Sequence, residues 1–264
     1  MRIDKSNIRK EDIPQATKVL NRLRMRDFVF GNPAEGLKQT LIELERKLDE
    51  HDSQDGWITV DKQLKSQIAK TKAGINGEQD LASFLQKEIK ENENLDGSIA
   101  FTSLSIDNIQ NEELDYTPDS DFLFIHGDAI LILDAKNIAT NPELPVYIHG
   151  NKLMAVDKEL LEVKPSTYVW RNYLNKKGVQ YSKIEGCIVI INKSGCTIWK
   201  NEDWYQSQCK PIFIGELKEF LENWVETVNN KTISLNMLTQ IANTQIKKET
   251  SGIDLSKALK KFKI

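Results

Sequence analysis

Residues 120–137 read Ser120-Asp-Phe-Leu-Phe-Ile-His-Gly-Asp-Ala-Ile-Leu-Ile-Leu-Asp-Ala-Lys-Asn137. Two apolar runs rich in β-prone residues, Phe122–Ile125 and Ala129–Leu133, flank the step from Gly127 to Asp128. This pattern predicts an antiparallel hairpin closed by a short turn. A turn centred on that step gives the cross-strand pairs Ile125–Ile130, Phe124–Leu131 and Asp121–Asp134.

The open end of this hairpin is acidic. Directly opposed residues hold their Cβ atoms about 5 Å apart, and like charges so placed repel each other, so the pair of Asp121 and Asp134 favours a cation between its carboxylates. Side chains alternate along a strand, which puts Lys136 on the same face as Asp134. Two aspartates and a lysine at the end of a sheet are the residue types of a divalent-metal phosphodiesterase site. An ordinary cross-strand ion pair is the alternative, because Asp119 faces Lys136 in this register.

Composition sets the broad class of the protein. A chain of 264 residues is long enough for one substantial core with a helical attachment, or for two small domains. No apolar run approaches the roughly 20 residues of a membrane span, and the N-terminus lacks the apolar core of a secretion signal. The three cysteines, Cys187, Cys196 and Cys209, form no Cys-x-x-Cys pair and suit reduced thiols. We therefore expect a cytoplasmic protein without a membrane partner.

The charge balance bears on nucleic-acid binding. Lys and Arg number 36 against 39 Asp and Glu, a formal net charge of −3, which gives no bulk attraction for phosphate. An enzyme with local basic patches and a bound metal remains compatible with this balance. No Gly-rich phosphate loop with Lys-Ser or Lys-Thr occurs, which argues against an ATP-driven enzyme. The three histidines, His51, His126 and His149, are predicted in loops or turns on the surface, which argues against a catalytic triad.

Glu78 is a further candidate residue. The segment Gly74–Ile89 predicts a helix entered through glycines, and its apolar residues Ile75, Ala82 and Leu85 fall on the same face as Glu78. Burial of a carboxylate without a partner costs several kcal/mol. Glu78 is therefore either an acid in the first turn of a helix at the edge of the core, or a side chain that points at a metal or a lysine.

The rest of the chain predicts a layered architecture. Helices are expected within residues 1–70, with apolar stripes at helical spacing, and they can pack on the core, self-associate or contact a partner. Strands are expected at Ser98–Ile106, Val146–His149, Lys152–Val156, Ile184–Asn192 and Pro211–Ile214. Helices are expected at Ser166–Lys177, Leu217–Val228, Ile233–Ile246 and Leu255–Phe262. This order favours an α/β fold with a mixed sheet flanked by helices.

Four of these elements together resemble the nuclease-related domain (NERD) family of the PD-(D/E)xK nuclease superfamily. They are Gly74-Ile-Asn-Gly-Glu78, Asp121, Asp134-Ala-Lys-Asn137 and the apolar strand Ile184–Asn192. The resemblance covers residues 73–195. It implies a restriction-endonuclease-like core at residues 71–215, with helical extensions at 1–70 and 216–264.

The resemblance also implies residue roles. Glu78 is the acid of the first core helix, Asp121 and Asp134 are metal ligands, and Lys136 is the lysine of the motif. Mg²⁺ or Mn²⁺ is the expected cofactor, bound by Asp121, Asp134, the carbonyl of Ala135 and Glu78, because hard oxygen ligands suit these ions. The implied reaction is phosphodiester hydrolysis in a nucleic acid, with DNA expected. The alternative is a weakly active or inactive nuclease-fold module that binds nucleic acid or a protein.

Three features depart from the family pattern or leave a choice open. The acid of the motif, Glu in most such domains, is here Asp134. The literal Pro-Asp pair is Pro118-Asp119, so Asp119 competes with Asp121 as first-strand ligand, and the hairpin register favours Asp121. Many related domains carry a glutamine in the helix after the motif, whereas the helix predicted at Ser166–Lys177 offers Arg171 as a candidate phosphate contact.

Overall fold

The structure of the protein is a computed structural model. It describes residues 2–52, 58–106, 119–138, 145–150, 152–155, 158–162, 167–191, 197–207 and 209–245. The helix predicted at Leu255–Phe262 lies outside these residues. Within these ranges no helix combines the length and the apolar character that crossing a lipid bilayer requires.

Helices and strands alternate along the chain. The α-helices are α1 (Ile13–Arg24), α2 (Glu35–Asp52), α3 (Ile58–Glu91), α4 (Thr167–Lys176), α5 (Glu202–Gln206), α6 (Leu217–Glu226) and α7 (Leu235–Ala242). The strands are β1 (Arg2–Asp4), β2 (Val29–Phe30), β3 (Ser98–Ser105), β4 (Asp119–His126), β5 (Ala129–Lys136), β6 (Val146–His149), β7 (Lys152–Ala155), β8 (Lys158–Glu162), β9 (Lys183–Ile190), β10 (Ile198–Trp199), β11 (Cys209–Phe213) and β12 (Thr232–Ser234).

The central sheet has six strands in the order β11-β9-β5-β4-β3-β2. The strands β3, β4 and β5 form an antiparallel meander, while β9 lies parallel to β5. A smaller sheet has the order β10-β6-β7-β8. The predicted hairpin is confirmed with its predicted register, since Ile125 pairs with Ile130 and Phe124 pairs with Leu131.

Helices cover both faces of the central sheet. On one face, Leu123 and Ile132 belong to an apolar cluster with residues of α1, α4 and α7. On the other face, Phe124 and Leu131 belong to a cluster with residues of α3 and α6. This arrangement confirms the predicted α/β class, a mixed sheet flanked by helices. The N-terminal helix α1 packs on this core. Packing on the core was one of the three alternatives for the N-terminal helices, beside self-association and contact with a partner.

The entry of the Glu78 helix was predicted wrongly. The predicted segment Gly74–Ile89 is the C-terminal half of a longer helix, α3, and Glu78 lies in the interior of this helix. The glycines permit close packing instead of starting the helix. A Cβ at Gly74 would lie 2.9 Å from Leu37 Cδ1, and a Cβ at Gly77 would lie 3.5 Å from Asn137 Cβ. The domain boundary predicted at 70/71 therefore falls inside α3.

The predicted C-terminal helix Ile233–Ile246 is shorter in the structure. The strand β12 pairs with β1 first, and α7 begins only at Leu235. The side chain of Ser234 accepts a hydrogen bond from the amide of Met237 at 3.4 Å, as a serine at a helix N-terminus commonly does. The helix α7 therefore begins directly after its capping residue, Ser234.

Candidate functional site

The β4–β5 hairpin positions the two candidate aspartates. The ladder between β4 and β5 ends at the pair Phe122–Leu133, so Asp121 and Asp134 are the next residues beyond it. The charge of Asp134 acts on Asp121, so the two side chains lie close together at the open end of the hairpin. The predicted juxtaposition of Asp121 and Asp134 is present. The side chain of Asp119, the rival ligand, lies outside the described part of the chain.

Asp121 is tied to the neighbouring strand. Its Oδ2 accepts a hydrogen bond from the amide of Ala135 at 2.8 Å. Burial raises the pKa of Asp121 well above its ordinary value, and the charge of Asp134 adds to this effect, whereas Lys136 opposes it. Without a cation, Asp121 therefore retains its proton at a pH at which an isolated aspartic acid is ionised.

Lys136 supplies positive charge at the same place. Its Nζ lies 2.5 Å from Asp134 Oδ1, and both side chains are little more than one-third exposed. Burial lowers the pKa of Lys136, but the charges of Asp134, Asp121 and Glu78 outweigh burial and raise it. The lysine is therefore an ammonium at neutral pH, held beside the two aspartates.

Glu78 reaches the site from α3. It is 6% exposed, and its Oε2 accepts a hydrogen bond from the amide of Ala34 at 2.9 Å. Burial raises its pKa to about 7, while the Ala34 amide and Lys136 lower it and Asp134 raises it further. Glu78 thus interacts electrostatically with the hairpin residues, and it also satisfies a backbone amide just before α2.

The turn that holds Glu78 is strained. Ala34 has φ +59°, and Ser103 in β3 has φ +54°; both lie in the left-handed region that residues other than glycine rarely adopt. Ser103 Oγ donates to the carbonyl of Asn32 at 2.7 Å and accepts from the amide of Glu35 at 3.2 Å. Strain of this kind is concentrated at functional sites. The sequence carries no signal for Ser103, because its role depends on the backbone of a distant segment.

Ser103 also lies next to the aspartates. Thr102 pairs with Phe122 and Leu104 pairs with Ser120, so Ser103 falls opposite Asp121 where the ladder is interrupted. The kink in β3 and the turn before α2 therefore meet beside the first acid of the hairpin.

The donor set suits a hard cation only in part. Asp121 and Asp134 offer carboxylate oxygens, and the carbonyl of Ala135 points to the same side as its amide, towards β4. Oxygen ligands of this type fit Mg²⁺ or Mn²⁺. Among the described residues, however, no group of three or more His, Cys, Asp or Glu side chains is placed to hold a metal ion. The two aspartates therefore suit such an ion, whereas the carboxylate of Glu78 is hydrogen-bonded to the amide of Ala34.

The neighbouring cysteines do not extend this donor set. Cys187 and Cys209 are buried free thiols. Burial raises the pKa of both thiols, with the charge of Asp134 adding to the effect; the pKa of Cys209 reaches about 12. Metals bind the thiolate form, so the raised thiol pKa values disfavour these residues as ligands relative to the carboxylates.

Arg171, the candidate phosphate contact, lies away from Asp121 and Asp134. The guanidinium of Arg171 donates to the carbonyl of Ile184 at 3.1 Å. Asp134 pairs with Ile188 in β9, four residues or about 13 Å further along the strand, so the structure does not bring Arg171 to the aspartates.

His126 differs from its prediction as a surface histidine. It is 3% exposed at the end of β4, and its Nδ1 lies 2.9 Å from Ser98 Oγ. The prediction was wrong because the turn after β4 is covered: the amide of Asp128 donates to the carbonyl of Asn230 at 3.2 Å. Burial lowers the pKa of His126, so the ring is neutral and lies at the far end of the hairpin from the acids.

Comparison of the chain with protein-family models, with curated proteins and with solved structures gave no match. A functional assignment therefore depends on the chemistry and geometry of the hairpin residues and of Glu78.

Proposed function

We propose that this protein is a divalent-metal-dependent nuclease that hydrolyses phosphodiester bonds, with DNA as the first polymer to test. The observation that carries the proposal is the close approach of Asp121 and Asp134 at the open end of the hairpin, with the ammonium of Lys136 at 2.5 Å from Asp134. The family resemblance to NERD proteins of the PD-(D/E)xK superfamily, with a restriction-endonuclease-like core, is part of the same proposal.

The roles of the residues follow from their positions. Mg²⁺ or Mn²⁺ would be held by Asp121, Asp134 and the carbonyl of Ala135, and such an ion polarises a phosphate and lowers the pKa of its water. A cation would also offset the burial and the charge of Asp134, which together raise the pKa of Asp121. Lys136 is placed to stabilise negative charge that develops on the phosphate.

Glu78 suits proton transfer. An acid with a pKa of about 7 changes its protonation state near neutral pH, which is the range in which general acid–base catalysis is most effective. Its carboxylate is held by the amide of Ala34, so this role requires no rearrangement of α3.

The test is cleavage of plasmid, linear and single-stranded DNA and of RNA by the purified protein, with Mg²⁺, Mn²⁺ or EDTA. We expect cleavage of at least one substrate with metal and none with EDTA. Asp134→Asn should abolish it, and Asp128→Asn, at the other end of the same hairpin, should not. Equal cleavage by wild type and Asp134→Asn would overturn the proposal.

One observation favours a second candidate, a nuclease-fold module that binds without cleaving. Asp121, Asp134 and Glu78 each already receive a hydrogen bond or ion pair from this chain. Calorimetric titration with Mn²⁺ separates the two functions. Saturable binding that Asp121→Asn abolishes supports the enzyme, whereas no binding by the wild type supports the module.

A further inference from the structure

The hydroxyl of Ser103 holds the turn that precedes α2. Ser103 lies in β3 and is buried. Its Oγ donates a hydrogen bond to the carbonyl of Asn32 at 2.7 Å and accepts one from the amide of Glu35 at 3.2 Å. Because these two bonds lie on either side of Ala34, one buried side chain fixes the conformation of the turn from Asn32 to Glu35.

The backbone of Ser103 would be less strained with a glycine. Its φ of +54° is unfavourable for a residue with a Cβ, whereas glycine adopts such a conformation readily. Glycine would, however, lack both hydrogen bonds to the turn. The hydroxyl has a single proton, which is donated to Asn32, so this serine does not supply a free nucleophile. Its contribution is therefore to the geometry of the turn.

The same turn holds the acid of α3. The amide of Ala34 donates to Glu78 Oε2 at 2.9 Å, and Glu78 lies within electrostatic range of Asp134 and Lys136. One carboxylate oxygen of Glu78 is thereby fixed, while Oε1 receives no hydrogen bond from the residues that the structure describes. The direction in which Oε1 points therefore depends on where the Ala34 amide lies.

Ser103 is also attached to the strand beside the hairpin acids. It falls opposite Asp121 between two pairs of the β3–β4 ladder, so the residue that holds the turn belongs to the strand next to the one that carries Asp121. A shift of the turn relative to β3 would consequently change the position of Glu78 relative to Asp121.

We propose that Ser103 is a positioning residue for Glu78. Through the turn and the Ala34 amide, it sets where the carboxylate of Glu78 lies relative to the hairpin acids. The effect on catalysis rests on the proposed function, whereas the link between Ser103 and Glu78 does not depend on that function. Because Ser103 acts through Glu78 and not on the substrate, its loss should slow the reaction without weakening substrate binding.

A double-mutant cycle in EDTA tests the link without cleavage. Urea denaturation of the full chain gives the unfolding equilibrium constants of wild type, Ser103→Gly, Glu78→Ala and the double variant. In the wild type, Ser103→Gly removes the bonds within the turn and also the support of Glu78; in Glu78→Ala it removes only the bonds within the turn. We therefore expect the increase in the unfolding constant to be at least about 3-fold smaller in the Glu78→Ala background.

Ser98→Ala is the matched control. Ser98 is a buried serine at the other end of β3, and its Oγ lies 2.9 Å from His126 Nδ1. Its loss should also destabilise the protein, but its effect should add to that of Glu78→Ala to within about twofold in the unfolding constant, as expected for distant sites.

Steady-state cleavage with Mg²⁺ or Mn²⁺ tests the consequence for catalysis. Ser103→Gly should lower kcat by about 10-fold or more and leave KM within about twofold, because a small misplacement of a catalytic group slows the reaction strongly. In the Glu78→Gln background the same substitution should lower kcat by no more than about twofold, since the two residues act as a unit. Ser98→Ala should retain the kcat of the wild type, which a general loss of stability would not allow.

Additive effects of Ser103→Gly and Glu78→Ala overturn the positioning role, as does a kcat of Ser103→Gly equal to that of an active wild type. Ser103→Cys keeps the size of the side chain and weakens both hydrogen bonds, and it supplies the same cycle if the glycine variant does not fold. Coupling in the cycle without metal-dependent cleavage by the wild type supports the positioning role and contradicts the nuclease. Additive effects together with loss of cleavage in Asp134→Asn contradict the positioning role and support the nuclease.

Discussion

The amide of Ala135 donates a hydrogen bond to Oδ2 of Asp121 at 2.8 Å. Ala135 is the residue between Asp134 and Lys136, so this bond attaches the acid of β4 to the backbone between the acid and the lysine of β5. The three charged groups are consequently held as one unit, whose geometry depends on the hairpin register and not on a flexible loop.

Asp121→Asn should affect stability and activity in opposite directions. Asparagine retains an oxygen for the Ala135 amide but removes a charge that is unfavourable beside Asp134. In EDTA at pH 8 we therefore expect the melting temperature to rise. In Mn²⁺ the wild type gains stability from ligand binding and the variant should not, and its cleavage rate should fall about 100-fold or more. Differential scanning fluorimetry and a cleavage assay measure the two effects. A variant stabilised by Mn²⁺ as strongly as the wild type would contradict the ligand role.

Lys136→Met should reduce cleavage by about 100-fold or more, because it removes the ammonium that stabilises charge on the phosphate. The matched control is Lys152→Met, a strand lysine of the small sheet paired with Glu159 at 2.6 Å. Single-turnover cleavage in saturating Mg²⁺ measures the effect. If both variants lose activity equally, Lys136 has no special role.

Glu78 should make the metal-free protein less stable as the pH rises. Its pKa in the folded state, about 7, lies above its ordinary value of 4.5. The protonated form is favoured by folding, so the contribution to stability is full below pH 4.5 and is lost as the pH rises through 7. The loss amounts to at most about 3 kcal/mol.

Glu78→Gln removes this dependence and keeps an oxygen for the Ala34 amide. Urea denaturation in EDTA at pH 5, 6, 7 and 8 gives the difference between wild type and variant, with Asp80→Asn as an exposed control on the same helix. A difference that stays constant with pH would show that Glu78 is ionised throughout.

Gly127→Ala should destabilise the hairpin more than Gly150→Ala does. Both glycines have positive φ, +57° and +60°, so both substitutions incur the left-handed cost of about 1–2 kcal/mol. A Cβ at Gly127 would also overlap the carbonyl of Asn230, whereas one at Gly150 meets nothing within 4 Å. We expect an additional loss of about 1–3 kcal/mol in Gly127→Ala. Equal losses in chemical denaturation would show that the segment at Asn230 moves aside.

The sequence predicted those parts of the fold that depend on local patterns. The alternation of apolar residues in β4 and β5 gave the hairpin and its register, because one face is buried and a one-residue slip would expose it. The same register predicted that Asp121 and Asp134 meet. The strand β9 was predicted from its nearly continuous apolar run, which is typical of a strand that is covered on both faces.

The errors arose where long-range packing decides the local structure. Gly74 and Gly77 suggested a helix start, but both lie inside a longer helix, and Gly74 leaves space there for Leu37. His126 was expected on the surface, but the segment at Asn230 buries the turn next to it. Ser103 and Ala34 gave no signal, because their left-handed backbone is required by contacts between segments about 70 residues apart in the chain.

The uninterrupted course of α3 limits how the protein can be divided. The helix is about 50 Å long, and a fragment starting at residue 71 would begin in its middle, without the Ala34 amide that Glu78 accepts from and without the α1 residues that pack on the sheet. Glu78 would then lack its hydrogen-bond donor. The first seventy residues therefore help to shape the candidate site. Loss of that segment would change the environment of Glu78 and would not merely remove an attached helical region.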